Sequence, residues 1–241
     1  NHEIHYVKPN ANLIGNLSLN LEKIKSFFSK SIWKDSEIKN FKEKIKSKLF
    51  FPSEKFLNPQ SIVELAQKYI KTNPRISIDA GAHMFSATAF WNASKPFDVL
   101  ISNGLATMGF ALPAAISAAL ENPERGTVAF TGDGGFMMCC SELSTAVQYK
   151  ANIIVIIFND GSLSLIDIKQ KSRNLKRSGT TWPRSDFARV AEGFGCRAWK
   201  VDNIDSYKIA LSEASNLKGT RVIDVWVDPK GYQEQLKSLR G

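Results

Sequence analysis

Two aspartates, each set in a short glycine-containing loop, are the side chains of this sequence best suited to do chemistry. Asp133 lies in the run Gly-Asp-Gly-Gly at residues 132–135, and Asp160 lies in the run Asn-Asp-Gly-Ser at residues 159–162. Carboxylate oxygens are ligands that hard divalent cations prefer. Backbone amides at the start of a helix attract anions. The two loops together indicate a site for one cation such as Mg²⁺ and for a diphosphate that the cation would hold.

The elements around these loops explain how the two aspartates would meet. The pattern predicts a strand at Thr127–Thr131, a helix at Phe136–Lys150 and a strand at Asn152–Phe158. A strand, a crossover helix and a second strand form one unit, so that both loops leave the same carboxyl edge of a parallel sheet. Neighbouring strands lie about 5 Å apart. We therefore expect Asp133 and Asp160, 27 residues apart in sequence, to share one cation.

Other glycine-rich motifs fit the first loop less well. The dinucleotide fingerprint requires a third glycine at the position of Met137, and a phosphate-binding P-loop requires a Gly-Lys-Ser/Thr ending that this stretch lacks. Asp133 would repel a bare phosphate, whereas a cation between its carboxylate and the diphosphate removes that conflict. Both loops also have the composition of ordinary turns. The interpretation as a site depends on their pairing, each loop following an apolar strand.

From residue 58 onward, strands and helices alternate. This pattern predicts an α/β fold, a parallel sheet covered by helices on both faces. The other predicted strands are Arg75–Asp79, Asp98–Ser102, Arg197–Val201 and Arg221–Val227. The other predicted helices are Pro59–Lys71, Met108–Leu120, Asp186–Gly193 and Ile204–Asn216. The basic stretch Lys169–Arg184 is predicted to be a mobile lid.

The residues before this alternation form two shorter stretches. Residues 1–30 carry a short helical pattern at Leu17–Phe28 and are too few to close a core, and residues 31–57 form a lysine-rich helix that leads to the domain at residues 58–241. Residues 1–56 hold eleven lysines against six acidic residues, and this excess of +5 is more than half of the net charge of +9. These lysines alternate with apolar residues at helical spacing, so we expect a solvated helix face and no nucleic-acid binding.

The composition limits the class of protein and its compartment. With 43% hydrophobic and 23% charged residues, the chain has the composition of a soluble globular protein. The strongest apolar run, Ile153–Phe158, is too short to span a membrane, so no membrane role is expected. Three cysteines give neither a disulfide ladder nor a zinc pattern. Because they suit a reduced compartment, we expect a cytoplasmic protein.

The sequence around the two loops resembles a known enzyme family. Gly132-Asp133-Gly134, followed after one predicted helix by Asn159-Asp160, is similar to the thiamine-diphosphate motif, whose last residue is more commonly Asn. The adjoining stretches that are similar to the acetolactate synthase-like group are Asn103–Ala115 and Glu142–Ala146. The chain from about Pro59 onward is therefore identified as a member of that family, with the thiamine-diphosphate-binding fold. Residues 1–30 more weakly resemble the end of the family's central domain.

The resemblance implies roles for individual residues. The side chains of Asp133 and Asp160 and the backbone carbonyl of Ser162 would bind Mg²⁺. The carbonyl of Ala106 would accept a hydrogen bond from the aminopyrimidine of thiamine diphosphate, and Met108 would force the cofactor into its bent shape. The other residues implied to contact the cofactor are Ala82, His83, Gly132, Gly134, Gly135 and Leu163.

Two of these residues either differ from the family pattern or suit a second role. Ala82 stands where the family usually has glutamine. His83 is the only histidine after residue 5, and it suits a packed loop residue about as well as a cofactor contact.

The resemblance also implies an activity and its partners. The family decarboxylates a 2-oxo acid and transfers the resulting carbanion to an acceptor, as in acetolactate formation. The activating glutamate would come from the N-terminal pyrimidine-binding domain of a partner subunit, so that no catalytic residue is assigned in this chain and the chain alone is expected to be inactive. A homodimer or homotetramer is implied, and the full-length protein could bind FAD.

Two alternatives stay open at this point. The chain could be the separate diphosphate-binding subunit of a split 2-oxo acid decarboxylase. It could also be a non-catalytic α/β module that binds a metal or interacts with another protein.

Overall fold

A computed structural model describes residues 10–29, 31–53 and 55–240. These residues form two compact units that divide after Lys44. In the first unit, helix α1 (Leu17–Lys25) is capped by the side chain of Asn16 and ends three residues before the predicted Phe28. Helix α2 (Asp35–Leu49) lies within residues 31–57, the stretch predicted as a lysine-rich helix. Residues 1–9 and 30 of the predicted first segment lie outside the described residues, as does residue 241 of the last.

The second unit is built on one parallel sheet of six strands in the order β2-β1-β3-β4-β6-β5. The strands are β1 (Arg75–Ile78), β2 (Val99–Ile101), β3 (Thr127–Gly132), β4 (Ile153–Asn159), β5 (Arg197–Val201) and β6 (Thr220–Trp226). The chain runs from β1 to β2 on one side and then crosses to β3 on the other. This reversal creates a crevice at the carboxyl ends of β1 and β3, where open α/β sheets bind ligands.

The core has one layer on each face of the sheet, which confirms the predicted α/β architecture. Successive side chains of a strand point to opposite faces. In β4, Ile154, Ile156 and Phe158 pack into one apolar cluster. Ile153, Val155 and Ile157 pack into the other. Every residue of β4 is buried as a result, which explains why this strand is a continuous apolar run.

Nine helices complete the described part of this unit. They are α3 (Pro59–Tyr69), α4 (His83–Phe90), α5 (Ala111–Glu121), α6 (Asp133–Cys139), α7 (Glu142–Gln148), α8 (Ser164–Ser172), α9 (Phe187–Gly193), α10 (Ile204–Asn216) and α11 (Lys230–Arg240). None of the helices in the described ranges is long and apolar enough to cross a membrane.

Several predicted elements differ from the structure. The helix predicted to begin at Met108 begins at Ala111, because Gly109 lies at φ 82° and cannot continue a helix. The helix predicted at Phe136–Lys150 begins at Asp133 and is divided into α6 and α7. Helices α4, α8 and α11 are absent from the prediction.

The segment predicted as a lid is partly ordered secondary structure. Its first residues belong to α8, and the remainder packs back on the second loop. Ser162 and Thr181 form an antiparallel bridge, and the amide of Leu163 donates to the carbonyl of Thr180 at 2.9 Å. Thr180 itself is buried. Residues 173–184 therefore form a loop that packs against the second loop in this structure.

Candidate functional site

The two glycine-containing loops lie side by side at the carboxyl edge of the sheet. In the register of β3 and β4, Gly132 pairs with Phe158. Asp133 is the next residue after β3 and the first of α6, and Asp160 is the next residue after β4. The sheet therefore places the two carboxylates on neighbouring strands, as the sequence predicts.

Hydrogen bonds of Asp133 join the two loops directly. Its Oδ1 accepts from the amide of Gly134 at 2.7 Å, and its Oδ2 accepts from the amide of Gly161 at 2.7 Å. Gly161 follows Asp160, so one carboxylate of the first loop is held against the backbone of the second. The carboxylate of Asp160 accepts from the Ser162 amide at 3.0 Å and from the Ser164 hydroxyl at 2.6 Å.

Both carboxyl groups resist ionisation in the protein without ligands. Burial raises the pKa of Asp133 to about 6, although amides of both loops oppose that shift. Burial also raises the pKa of Asp160 to about 7, and the negative charge of Asp133 adds to the rise. Two carboxylates that disfavour each other's charge are stabilised by a cation placed between them.

The donor set fits a hard cation that shares its ligands with a bound anion. No group of three or more His, Cys, Asp or Glu residues that could hold a metal occurs in residues 10–29, 31–53 and 55–240. Two carboxylates therefore supply only part of an octahedral shell. Backbone carbonyls, water and the oxygens of a ligand would have to supply the rest.

Glycine at position 134 is required by close packing over the first loop. A Cβ at Gly134 would lie 2.7 Å from Cδ2 of Leu163 and 3.4 Å from Cε of Met108. It would also lie 3.4 Å from Cη2 of Trp182, whose amide donates to the carbonyl of Gly161 at 3.0 Å. The structure thus brings together Gly134, Leu163 and Met108, three of the predicted cofactor contacts. Trp182 joins them and was missed.

Asp79 is a second residue that the sequence analysis missed. It follows β1, is 0% exposed, and accepts hydrogen bonds from the amides of Gly109 and Phe110 and from the Thr131 hydroxyl, each at 3.0 Å. This carboxylate therefore fixes the end of the loop that contains Ala106 and Met108. An aspartate directly after an apolar strand was the available signal, since Asp133 has the same position after β3.

Most of the predicted residues line a cavity of about 370 Å³ beside Asp160, but Asp133, Gly132, Gly134 and Gly135 are not part of its lining. Its lining includes Ala82, His83, Ala106, Met108, Ser162 and Leu163. Ala106 adopts the left-handed conformation with φ 50°, which turns the loop before Gly109. The cavity is mostly apolar, with the acidic end at Asp160. This lining suits a ligand that is apolar over most of its surface and has a charged end near Asp160.

His83 begins α4 and packs within this site. Its ring stacks on Phe158 with centroids 5.3 Å apart, and its Nε2 is buried without a hydrogen-bond partner among the described residues. Burial lowers the pKa of His83 to about 4, so the ring is neutral near pH 7. The structure shows the packed role of His83, while its contact with a cofactor stays a prediction.

Comparison with protein families identifies this arrangement. Residues 79–225 match the model for the thiamine pyrophosphate enzyme, C-terminal TPP binding domain. The matched segment begins at Asp79 and includes both glycine-containing loops. The chain belongs to this family.

Its relatives place it in the acetolactate synthase-like group of these thiamine-diphosphate-dependent enzymes. The chain is 32% identical over 171 residues to an acetolactate synthase of Bacillus subtilis (strain 168), covering 71% of this chain and 30% of the relative. It is 34% identical over 172 residues to a catabolic acetolactate synthase of Raoultella terrigena, covering 71% of this chain and 31% of the relative. The chain thus spans about a third of the length of these relatives.

Solved structures show the same fold. A benzoylformate decarboxylase from Polynucleobacter necessarius superimposes with a TM-score of 0.67 at 22% identity, over 72% of this chain and 33% of that one. A thiamine diphosphate-dependent 4-hydroxybenzoylformate decarboxylase from Rhodococcus jostii RHA1 gives a TM-score of 0.68 at 24% identity, over 74% and 34%. Each matches this chain over about a third of its own length, so the likeness concerns the fold of this part alone.

The raised pKa values predict an unusual effect of pH on the ligand-free TPP-binding domain. A carboxyl whose pKa is higher in the folded than in the unfolded state costs stability as the pH rises from about 4 through its folded pKa. Asp160→Asn removes that cost, so we expect the variant to unfold at a higher temperature than the wild type at pH 8 and at the same temperature at pH 4. Each unit by which the folded pKa exceeds the unfolded pKa costs about 1.4 kcal/mol of folding stability at pH values above both. Thermal unfolding at both pH values measures the difference.

Asp167→Asn is the matched control for this prediction. Burial opposes ionisation of Asp167, but the hydrogen bonds and charges of Lys171 and Arg177 lower the pKa of its carboxyl below the usual value. Its removal should therefore destabilise the protein at pH 8, opposite in sign to Asp160→Asn. An Asp160→Asn variant that unfolds at a lower temperature than the wild type at pH 8 would contradict the origin assigned to the pKa shift.

Proposed function

We propose that this chain is the diphosphate- and metal-binding part of an enzyme that uses thiamine diphosphate and Mg²⁺ to decarboxylate a 2-oxo acid. The part of the 2-oxo acid that remains after CO₂ is lost would then be transferred to an acceptor, as in acetolactate synthesis. The observation that carries the proposal is the pair of carboxylates of Asp133, which is buried, and Asp160, which is half-buried, on adjacent loops joined by the hydrogen bond from Gly161 to Asp133. Family membership supports the cofactor, and the relatives support the reaction class.

The residues of this chain would hold the charged end of the cofactor. The side chains of Asp133 and Asp160 and the carbonyl of Ser162 would bind Mg²⁺, and the amides of Gly134 and Gly135 at the start of α6 would bind the diphosphate. When bound, thiamine diphosphate supplies the electron sink for the carbon from which CO₂ leaves. Each of these roles is compatible with the buried, loop-to-loop arrangement of the donors.

The chain would also orient the rest of the cofactor. Asp79 fixes Gly109 and Phe110, and this anchors the preceding loop in which Ala106 would present its carbonyl to the aminopyrimidine. Met108 lies against the Gly134 region and lines the cavity, so its side chain would wedge between the two ends of a bent ligand. The apolar lining would exclude water from the reacting carbon.

The proposal assigns the remaining machinery to other parts of the enzyme. The activating glutamate is expected in a pyrimidine-binding domain of a partner subunit, in a homodimer or homotetramer. If the full-length protein binds FAD, its site would lie in the central domain. The chain alone would then bind the cofactor's diphosphate end but would not turn over substrate.

Reconstitution tests this function. The chain is combined with the pyrimidine-binding domain, thiamine diphosphate, Mg²⁺ and pyruvate or another 2-oxo acid, and released CO₂ is measured. We expect CO₂ release that requires both domains and stops when EDTA removes the metal. Cofactor binding without decarboxylation of any 2-oxo acid would overturn the enzymatic part of the proposal. Failure to bind the cofactor at all would favour a non-catalytic module.

A further inference from the structure

Helix α8 separates two cavities and presents a different face to each. Leu165, Ile166 and Lys169 line the large cavity beside Asp160. Asp167, Ile168 and Lys171 line a second cavity of about 360 Å³. These two sets have the three- and four-residue spacing of opposite helix faces. Lys169 and Lys171 therefore lie in two different environments.

The charges of the two lysines are balanced differently. Nζ of Lys171 lies 2.9 Å from Oδ2 of Asp167, and Nε of Arg177 lies 2.6 Å from Oδ1 of the same carboxylate. Lys169 has no ion-pair partner in the described ranges of the chain. It is also the only lysine or arginine among the described residues that line the large cavity. Its positive charge is therefore available to a ligand in that cavity.

The position of Lys169 along α8 separates it from the metal end of the site. Ser164, whose hydroxyl donates to Asp160, begins the helix, and Lys169 follows five residues later. At a rise of 1.5 Å per residue, its Cα lies about 7.5 Å further along the axis. Lys169 is exposed in the protein without ligands, so water reaches its ammonium group. A ligand that fills the cavity displaces this water, and the ion pair with Lys169 is then stronger than one in bulk water.

The chemistry of decarboxylation limits which anion this cation can serve. The carboxylate that leaves as CO₂ loses its negative charge, so a lysine paired with it would stabilise the starting state more than the transition state. A lysine paired with an anion that the reaction leaves in place stabilises both states and improves binding. The useful partner of Lys169 is therefore a retained acid group.

We propose that Lys169 is a specificity-determining residue that binds a carboxylate or sulfonate which the substrate keeps through the reaction. This inference rests on the proposed function and names the substrate class of the same site. The retained group is carried either by the far end of the donor 2-oxo acid or by an acceptor that is itself a 2-oxo acid. Lys169 has no part in binding Mg²⁺ or the diphosphate.

The test compares substrates that differ only in the acid group. In the assembled holoenzyme, 2-oxoglutarate and 2-oxovalerate are donors of equal chain length with and without a second carboxylate. We expect Lys169→Gln to raise the KM of the acid-bearing donor at least 10-fold and to change that of 2-oxovalerate less than twofold. If the acceptor carries the acid group, pyruvate and acetaldehyde are compared as acceptors. Lys169→Gln should then raise the KM of pyruvate and leave that of acetaldehyde nearly unchanged. Lys171→Gln, on the other face of α8, should leave all of these KM values unchanged.

A binding measurement makes the result independent of turnover. Glutarate is titrated calorimetrically into the holoprotein, and Lys169→Gln should weaken its binding at least 10-fold while the affinity for thiamine diphosphate stays within twofold. Equal effects on acid-bearing and neutral ligands, or no glutarate binding to the wild type, would overturn the assignment. Weaker binding of thiamine diphosphate in Lys169→Gln would show that Lys169 serves the diphosphate instead. An enzyme that binds glutarate through Lys169 but releases no CO₂ would overturn only the proposed function.

Discussion

Asp133→Asn is expected to weaken Mg²⁺-dependent binding of thiamine diphosphate by about 100-fold or more. The substitution keeps the shape of the side chain and removes the charge that would face the proposed cation, and cation affinity depends strongly on the number of charged ligands. The variant retains an oxygen for one of the amides of Gly134 and Gly161, so the loops should keep their positions. Quenching of tryptophan fluorescence during a cofactor titration provides the measurement, since Trp182 packs over Gly134.

Asp98→Asn is the control for this result. Asp98 and Asp133 are each 2% exposed, but Asp98 precedes β2 at the opposite edge of the sheet and pairs with Arg125 at 2.6 Å. Its substitution should lower the thermal stability and leave the cofactor affinity of the folded protein unchanged. Equal cofactor affinities in Asp133→Asn and the wild type would contradict the placement of the cation at these loops.

Gly135→Ala is expected to destabilise the protein by about 3 kcal/mol or more. A Cβ at this position would overlap Oδ2 of Asp79, which accepts hydrogen bonds from Gly109 and Thr131. Because Asp79 is fully buried, displacing its carboxylate leaves charged and polar groups without partners, at about 1–3 kcal/mol for each. Urea unfolding gives the free energy directly.

Gly193→Ala provides the comparison for the second substitution. Gly193 ends α9, and a Cβ built there meets no heavy atom within 4 Å. Alanine is favoured over glycine in helices by up to about 1 kcal/mol, so this variant should be as stable as the wild type or slightly more stable. A Gly135→Ala variant within 1 kcal/mol of the wild type would show that Asp79 moves without loss and is no anchor of the loop.

The central part of the fold could be predicted because its signals are local. Each residue of β4 is buried on one face of the sheet or the other, so the strand is a continuous apolar run that ends in a polar loop. Strand β3 has a shorter buried apolar run, Val128–Phe130, before its own loop. The position of Asp133 and Asp160 on neighbouring strands then follows from the handedness of a strand-helix-strand unit. The two loops were therefore predicted without knowledge of any contact.

Helix α11 was missed, although its apolar residues Tyr232, Leu236 and Leu239 have the spacing of an amphipathic helix. Gln235 is 0% exposed and bonds to the hydroxyl of Ser86 at 2.8 Å and to the carbonyl of Leu49 at 3.2 Å. These partners are 149 and 186 residues away in sequence. The local pattern does not show these polar long-range contacts, which fix the helix in addition to its apolar face.

Asp79 and Trp182 were missed for a related reason. The carboxylate of Asp79 acts on a loop some thirty residues further along the chain, and only the crossing from β2 to β3 brings them together. Trp182 lies in the basic segment predicted as a lid, where nothing in the local pattern indicates packing over Gly134. Long-range contacts of single residues in loops leave no periodic signal.

The hydrogen bonds of Asp133 have a consequence for how a ligand would be captured. This carboxylate already ties both loops to each other through the amides of Gly134 and Gly161. A preorganised receptor loses little conformational freedom on association. The speed of loading would then depend on diffusion and on dehydration of the incoming ion, and no loop would have to fold first.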